Sequence, residues 1–328
     1  MKQIGNFLKK LSILSKSNLE NTKTTIKMKP EKLKIGDAIG IVSPSNPVEG
    51  ESINLLEKGI NYLENLGFKI KRGEFLSSTN PEDKAKDINN FFSDNEVKAI
   101  ICTQGGDSAE KTIPFIDWEI IKKNPKIFMG ISDITVLLNS INHKTDLITF
   151  HGNDICYGFG RNPNNYDLEE FKKILVNGKS GEINSNGERK TIRSGVTTGK
   201  LSGGNIRCLL KLADTEYWPD FDNSILILEA YKIDEEKCLE YFQILKDKKV
   251  FDKINGVIIG FIYEMQKENP NEKQMEDLLL EFTKEYDFPI LKINDFGHNC
   301  PNTTLPIGGK VEMDADEKTI TIIEGYIK

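Results

Sequence analysis

Two periods of apolar residues alternate along the first half of the chain, starting near Leu33. The stretch 37–45 (DAIGIVSPS) is a short apolar run that ends in turn residues, as a buried strand does. In 49–67 (EGESINLLEKGINYLENLG) the apolar residues recur at helical spacing, and Gly67 stands where a helix C-cap glycine belongs. The stretch 68–73 (FKIKRG) is strand-like again. A strand, a helix and a strand of these lengths predict a βαβ unit, whose two strands are parallel.

The same alternation continues to about residue 178. It predicts further strands at 97–106, 126–130 and 147–154, and helices at 83–94, 108–124, 167–178 and from Asp133 onward. A series of such units predicts a largely parallel sheet with helices packed on it.

The second half of the chain has a different pattern. Its end, 308–325 (GGKVEMDADEKTITIIEG), carries two alternating segments around an acidic turn, which predicts a β-hairpin. Strong strand signals occur at 224–229, 254–262 and 289–295, and helical patterns at 234–247 and 271–286.

Residues 179–199 separate these two patterns and are polar and rich in Gly, Ser and Thr, which is typical of a domain boundary. We therefore predict an α/β protein with an N-terminal, largely parallel α/β domain at 29–178, a linker at 179–199 and a C-terminal mixed α/β domain at 200–328 that ends in the hairpin.

The first 28 residues form a Lys-rich, weakly amphipathic extension. Lysines interrupt its apolar residues, so the extension lacks the continuous apolar core of a signal peptide. No apolar run of about 18 residues, the length that spans a membrane, occurs in the chain. We expect residues 1–28 to be disordered; the alternative is a weak helix on a membrane surface.

Composition narrows the function classes further. The 328 residues carry a net charge of −6, and the basic residues are scattered, which argues against a nucleic-acid partner. The five cysteines are widely spaced and include no CxxC pair, so we expect neither a disulfide framework nor a zinc site, and a reducing cytoplasm fits best. Cys102 lies inside a predicted strand and is expected to be a core residue.

Ser132 stands on a turn between a strand that ends at Gly130 and a helix that Asp133 opens. In α/β hydrolases a nucleophilic serine occupies such a turn, where its Oγ is exposed and backbone N–H groups face the developing oxyanion. The stretch GISD lacks the second glycine of the G-x-S-x-G motif, because Ile134 occupies that position. From these residues alone, a helix N-cap is the better supported interpretation of Ser132.

A nucleophilic serine needs a base, and the chain offers only three histidines. His143 follows the predicted helix in a polar stretch, where we expect exposure. His151 ends a predicted strand, where it either lines a cleft or packs. His298 lies in an irregular segment rich in glycine and proline, the kind that carries functional groups. Glu229 closes the run SILILE at the carboxyl end of a strand, where α/β proteins form their ligand crevice, unless it simply faces solvent.

Other chemistries have weaker signals. The turn GGDS at 105–108 has N–H groups suited to an anion, but no GxGxxG or Walker pattern accompanies it. No HExxH motif or histidine cluster occurs, so neither a metal site nor a cofactor is expected.

An ordered set of short motifs resembles the LD-carboxypeptidase family of serine peptidases, from about Leu33 to Glu324. Its nearest likeness is to the branch that contains the microcin C self-immunity protein. The motifs, in chain order, are GGDSAEKTIPFID, NPKIFMGISDITVLLNSI, LITFHG, LSGGNIRCLL, TEYWPDF, ILILE, VFDKINGVIIG and GHNCPNTTLPIGGKVEMDADEKTITI.

The resemblance implies a Ser-His-Glu catalytic triad. Carried over motif by motif, Ser132 is the nucleophile, Glu229 is the orienting acid and His298 is the base, while the amides of Asp133 and Gly106 form the oxyanion hole. It further implies a cytoplasmic homodimer without cofactor, active in peptidoglycan recycling. The substrate would be the L,D-amide before a C-terminal D-amino acid in muropeptides.

Several motifs depart from the family pattern and bear on substrate choice. The common RGGYGS reads TQGGDSAE, GYSD reads GISD, and Ala230 replaces the acidic residue that often follows the glutamate. The Trp-containing insert of the microcin branch is missing. Two alternatives therefore stay open: an amidase that cleaves peptidyl or aminoacyl sulfamoyl-adenylates, and a muropeptide-binding protein with weak or no catalysis.

Overall fold

The computed structural model describes residues 27–328. The predicted disordered extension at 1–28 lies outside the described residues except for its last two positions. There, Met28 forms a parallel bridge with Leu147.

The first half of the chain alternates strands with helices, as the periodicity predicts. Its strands are β1 (Ala38–Val42), β2 (Lys69–Arg72), β3 (Val97–Cys102), β4 (Ile127–Gly130) and β5 (Thr149–His151). Its α-helices are α1 (Glu51–Asn65), α2 (Pro81–Ser93), α3 (Trp118–Lys123) and α4 (Thr135–Thr145). Short 3₁₀ helices occupy Ala109–Phe115, Ser132–Ile134 and Phe159–Arg161. Gly67 has φ of 93°, which a C-cap glycine adopts without strain.

The second half is rich in strands. They are β6 (Gly181–Glu182), β7 (Lys190–Arg193), β8 (Val196–Asn205), β9 (Ser224–Ala230), β10 (Gly256–Ile262), β11 (Ile290–Gly297), β12 (Leu305–Ile307), β13 (Lys310–Asp314) and β14 (Thr319–Ile322). The helices of this half and of the segment before it are α5 (Asn165–Phe171), α6 (Ile206–Leu210), α7 (Glu235–Asp247) and α8 (Met275–Phe282). Single π-turns follow α5 at Lys172–Val176 and β10 at Glu264–Glu268.

Two sheets organise these elements. The first has the order β12-β5-β4-β3-β1-β2 and is parallel except for the antiparallel edge strand β12. The second has the order β6-β14-β13-β8-β9-β10-β11-β7, with parallel strands β8 to β11 flanked by antiparallel ones. The fold is therefore mixed α/β, and the predicted terminal hairpin is β13–β14.

Two local predictions differ from the structure. The helix predicted over 108–124 is wrong, because a 3₁₀ helix containing Pro114 ends at Phe115 and α3 begins anew at Trp118. Proline cannot donate a helical hydrogen bond and disfavours continuation, and the Asp117 carboxylate caps the new helix by accepting the N–H groups of Glu119 and Ile120. The predicted linker at 179–199 contains β6, β7 and the start of β8, all in the second sheet. The division into two domains itself stays a prediction.

The core continues across both halves of the chain. One cluster of buried apolar side chains joins β1, β3 and β4 to β8, β9 and β13, while a second fills the space between the other face of β9–β11 and helices α6 to α8. The ring of Phe150 meets that of Tyr326 edge-on at 6.3 Å between centroids. The packing holds the carboxyl ends of both sets of parallel strands against one cleft.

Candidate active site

A cleft of about 900 Å³ opens where loops from both halves of the chain meet. Its lining includes Gly106 and Ser132 from the first half and Asn205, Ala230 and His298 from the second. These positions follow the carboxyl ends of parallel strands, where α/β proteins gather their ligand-binding groups.

Ser132 is the first residue of the 3₁₀ helix that follows β4 and has a backbone φ of 65°. A left-handed backbone is uncommon for a residue with a side chain, and such strain is often found at functional sites. The Ser132 side chain makes no helix-capping hydrogen bond; Ile131 holds the N-cap position. The N-cap interpretation of Ser132 is therefore wrong, and its half-buried hydroxyl faces the cleft.

The Gly-Gly turn after β3 lies directly against Ser132. A Cβ built on Gly105 would stand 2.6 Å from the Cβ of Ser132 and 2.8 Å from its Oγ, so only glycine fits there without movement. Gly106 follows with φ of 148°, and its N–H donates no hydrogen bond within the described part of the chain. The N–H of Asp133 belongs to the first turn of a helix, where backbone donors lack intrahelical acceptors.

The side chain of Asp133 is fully buried, and its hydrogen bonds hold this turn in place. Its Oδ2 accepts hydrogen bonds from the Ser45 hydroxyl at 2.6 Å and the Ala109 N–H at 2.8 Å. Its Oδ1 accepts from Nζ of Lys211 at 2.7 Å. Burial alone would raise the pKa of Asp133, but the hydrogen bonds from Lys211, Ser45 and Ala109 hold that pKa below its ordinary value.

Glu229 contacts His298, whose side chain lines the same cleft as Ser132. Nδ1 of His298 lies 2.6 Å from Oε2 of Glu229, whose side chain is completely buried near the end of β9. With Nδ1 donating its hydrogen to the carboxylate, the neutral imidazole keeps Nε2 free to accept a proton.

The charges of this pair depend on each other. Burial by itself would lower the pKa of His298, but the charge and hydrogen bond of Glu229 outweigh it and raise that pKa above 6.5. Burial would likewise raise the pKa of Glu229, but His298 lowers it. Glu229 therefore stays ionised and favours the imidazolium form of His298.

The loop that carries His298 is held by its neighbours. Gly297 has φ of 137°, and a Cβ there would approach the Phe261 carbonyl oxygen to 2.6 Å. The Asn302 side chain accepts from the Gly297 N–H at 2.9 Å and donates to the Gly297 carbonyl at 3.1 Å. These two hydrogen bonds fix the backbone of the residue directly before His298.

The other two histidines have different surroundings. His143 lies on the exposed last turn of α4, so its predicted exposure is confirmed although it is helical. His151 is fully buried at the end of β5 and packs edge-on against Phe296 at 5.5 Å. Burial lowers the pKa of His151 to about 4, so its ring is neutral. Cys102 is fully buried in β3, as predicted.

No sequence pattern points to several residues in or beside the cleft. Lys211 reaches Asp133 across 78 positions of chain, and no motif pairs them. Asp154 and Arg161 line the cleft, in a stretch after β5 that carries no strong pattern. Only the folded chain brings these groups beside the predicted site residues.

Within residues 27–328, no three His, Cys, Asp or Glu side chains stand close enough to hold a metal ion. None of the helices there is both long and apolar enough to cross a bilayer.

Comparisons with known proteins identify the family. Residues 39–152 match the LD-carboxypeptidase N-terminal domain of peptidase S66, and residues 198–313 match the corresponding C-terminal domain. The microcin C7 self-immunity protein MccF of Escherichia coli is 32% identical over 330 residues, covering 90% of this chain and 95% of MccF. The probable murein peptide carboxypeptidase of Bacillus subtilis (strain 168) is 27% identical, with 92% and 96% covered.

A solved structure of MccF in complex with aspartyl sulfamoyl adenosine superposes with a TM-score of 0.84, at 29% identity, over 92% of this chain and all of that one (100%). Both domain matches together span most of the described residues and contain Ser132, Glu229 and His298. The chain belongs to the LD-carboxypeptidase family, peptidase S66, and is a hydrolase of that family.

Proposed function

We propose that the protein is a serine-type LD-carboxypeptidase in which Ser132 is the nucleophile, His298 the general base and Glu229 the residue that orients it. The observation that carries the proposal is the 2.6 Å contact between His298 and Glu229 in the cleft that Ser132 also lines. Nucleophilic catalysis needs a base held by a buried acid, in the same cleft as a hydroxyl with no capping role.

The reaction would run in two stages. Nε2 of His298 takes the Ser132 hydroxyl proton as Oγ bonds to the amide carbonyl carbon. The carbon–nitrogen bond then breaks while His298 gives that proton to the leaving amine, leaving an acyl ester on Ser132. A water molecule attacks the ester and passes a proton to His298, which returns it to Oγ as the acid product leaves.

The amides of Asp133 and Gly106 would stabilise the oxyanion of each tetrahedral intermediate. Supporting this, the N–H of Gly106, at the edge of the cleft, donates no hydrogen bond to any of residues 27–328, and Asp133 follows Ser132 at a helix start. Fixed donors of this kind cost no reorganisation when charge develops.

The substrate we propose is a muropeptide, cleaved at the L,D-amide before its C-terminal D-amino acid. The murein peptide carboxypeptidase of B. subtilis supports this choice through its likeness over nearly the whole chain. All five cysteines are free thiols, which suits the cytoplasm that peptidoglycan recycling would require. A homodimer is expected on the family resemblance alone.

A second candidate is an amidase acting on aminoacyl sulfamoyl-adenylates. It is favoured by the relation to MccF, which has been solved in complex with aspartyl sulfamoyl adenosine. The chemistry at Ser132 would be the same, and only the leaving group would differ.

Purified protein should be given a tetrapeptide ending in D-alanine and, separately, aspartyl sulfamoyl adenosine, with products identified by mass spectrometry. Release of D-alanine supports the carboxypeptidase. Exclusive cleavage of the sulfamoyl compound selects the amidase instead. Binding of either compound without turnover would contradict both and indicate a binding protein.

A further inference from the structure

Three cationic side chains line the cleft, and they differ in what they contact. The guanidinium of Arg207 is already paired with the Asp107 carboxylate. Arg161 forms no ion pair in the described part of the chain; its Nη1 donates to Oδ1 of Asn299 at 3.3 Å. The ammonium of Lys232 lies 5.6 Å above the Tyr231 ring.

The contact to Asn299 places Arg161 beside the loop that carries His298. Asn299 directly follows His298, and His298 would donate its proton to the leaving amine. The leaving group must therefore lie on the His298 side of the cleft, next to Arg161. In a terminal amino acid, the carboxylate carbon is only two bonds from that amine.

The chain holds Arg161 in position before any ligand arrives. The Asp154 carboxylate accepts the N–H groups of Tyr157 at 2.7 Å and Gly158 at 2.9 Å, which shapes the turn before the 3₁₀ helix Phe159–Arg161. The guanidinium then stacks 4.6 Å from the centre of the Tyr157 ring. Stacking and the Asn299 contact leave other N–H donors of the planar guanidinium for a ligand.

Asp154, the carboxyl that shapes this turn, forms no ion pair with Arg161 within residues 27–328. Burial raises the pKa of Asp154 to about 6, while the nearby charges of His298 and Arg161 act to lower it. One of its oxygens accepts the two turn N–H groups, so the role of Asp154 at Arg161 is to shape the backbone.

We propose that Arg161 binds the free α-carboxylate of the substrate's terminal amino acid and thereby makes the enzyme select the ends of peptides. This rests on the proposed function. A guanidinium recognises a carboxylate by paired, charge-assisted hydrogen bonds, which an uncharged carboxamide cannot reproduce.

The test compares a tetrapeptide ending in D-alanine with the same peptide whose terminal carboxylate is a carboxamide. For the wild-type enzyme, kcat/KM should favour the free acid. Arg161→Gln should lower kcat/KM for the acid by about 10- to 100-fold and leave the carboxamide almost unchanged. Arg161→Lys should recover part of the preference. Arg207→Gln is the matched control, because that guanidinium is already paired.

Binding to the Ser132→Ala variant, followed by calorimetry, separates this inference from the catalytic one. Tighter binding of the acid than the carboxamide, lost when Arg161→Gln is added, supports the carboxylate site whether or not the enzyme turns the peptide over. Equal losses for both peptides would show a structural role only. Loss of the preference in Lys232→Gln rather than Arg161→Gln, or no binding of either peptide, would overturn the assignment.

Discussion

Nζ of Lys211 lies 2.7 Å from Oδ1 of Asp133, so a lysine from the second half of the chain holds the residue that directly follows Ser132. The same ammonium also contacts Asp107 at 2.8 Å and Glu110 at 3.1 Å. Asp133 is completely buried, whereas 18% of the Lys211 side chain is exposed. This contact ties the turn of the candidate nucleophile to the other half of the site.

Lys211→Met should therefore weaken both folding and activity. The substitution leaves the buried Asp133 carboxylate without its cation, and we expect the free energy of unfolding to fall by about 2 kcal/mol, less than for a fully buried pair because Lys211 is partly exposed. Turnover should fall at least about tenfold, since the Asp133 amide would shift. Urea denaturation and steady-state kinetics measure the two effects.

Acid provides a check on this interpretation. The folded pKa of Asp133 is lowered, so the ionised carboxylate stabilises the fold at pH values above 3.8, the ordinary pKa. This contribution to the free energy of unfolding is lost as pH falls through the folded pKa. The difference in the free energy of unfolding between wild type and Lys211→Met should thus become smaller in strong acid. Lys144→Met is the control: its partner Glu216 is 68% exposed, and the change should cost less than about 0.5 kcal/mol. Equal effects of both substitutions would contradict the buried-pair interpretation.

Substitutions at Ser132 should separate its effect on stability from its effect on activity. Glycine adopts a left-handed φ without a steric penalty, so Ser132→Gly should be more stable than Ser132→Ala by about 1 kcal/mol. Both variants lose the hydroxyl and should lose turnover; removing the nucleophile of a well-studied serine protease costs on the order of 10⁶ in rate. Thermal denaturation and product release measure stability and activity separately.

Retention of more than a few per cent of activity in Ser132→Ala would contradict the serine mechanism. Equal stabilities of the glycine and alanine variants would instead show that the φ of 65° stores no strain.

Gly105→Ala should disturb catalysis through sterics alone. The added methyl group would lie 2.6 Å from the Cβ of Ser132, so the serine must move. A displacement of about 1 Å at a reacting atom can cost about a hundredfold in rate. We expect kcat to fall by that order, as measured with either substrate.

Gly187→Ala is the matched control, because a Cβ at Gly187 meets nothing within 4 Å. Comparable activity losses in the two variants, or none at Gly105, would show that close contact at Ser132 does not limit the reaction.

The sequence predicted those elements whose signals are local. The helix at α1 with Gly67 at its end and the hairpin β13–β14 carry their own periodicity and turn residues. The helix predicted over 108–124 failed at Pro114, which cannot donate the hydrogen bond that an interior helical position requires. Strand β12 escaped prediction because its three residues pair with β5, more than 150 positions earlier.

The candidate site likewise combines residues that motifs identify with contacts that only the folded chain creates. Ser132, Glu229 and His298 could be proposed together only because their motifs resemble a family; the residues alone favoured an N-cap for Ser132. The clamp of Lys211 on Asp133 and the tie between Arg161 and Asn299 link distant segments. Such contacts depend on how the two sheets pack, and no local pattern records them.

The pH dependence of activity should report the pairing of His298 with Glu229. In its proposed role as general base His298 must be neutral, so kcat/KM should fall as pH drops below its folded pKa, which lies above the ordinary value of 6.5. Glu229→Gln removes the negative charge that raises this pKa. The acidic limb of the residual activity should therefore move to lower pH while kcat decreases.

Two comparisons make this prediction specific to the pair. The charge of Asp154 also raises the pKa of His298 but ranks below that of Glu229, so Asp154→Asn should move the limb in the same direction by a smaller amount. His143→Asn should leave the profile unchanged, because that ring lies on the exposed turn of α4.

The raised pKa of His298 should also affect stability, but the contribution of the His298–Glu229 pair to stability should decrease with rising pH, whereas kcat/KM increases. Because the folded pKa is raised, the His298–Glu229 interaction contributes its full share of the free energy of unfolding below pH 6.5. That contribution decreases as pH rises through the folded pKa. Glu229→Gln should thus lower the free energy of unfolding more at about pH 6 than at about pH 9. A larger loss at the higher pH, or an acidic limb that stays in place or moves upward, would show that His298 is not the group whose charge Glu229 controls.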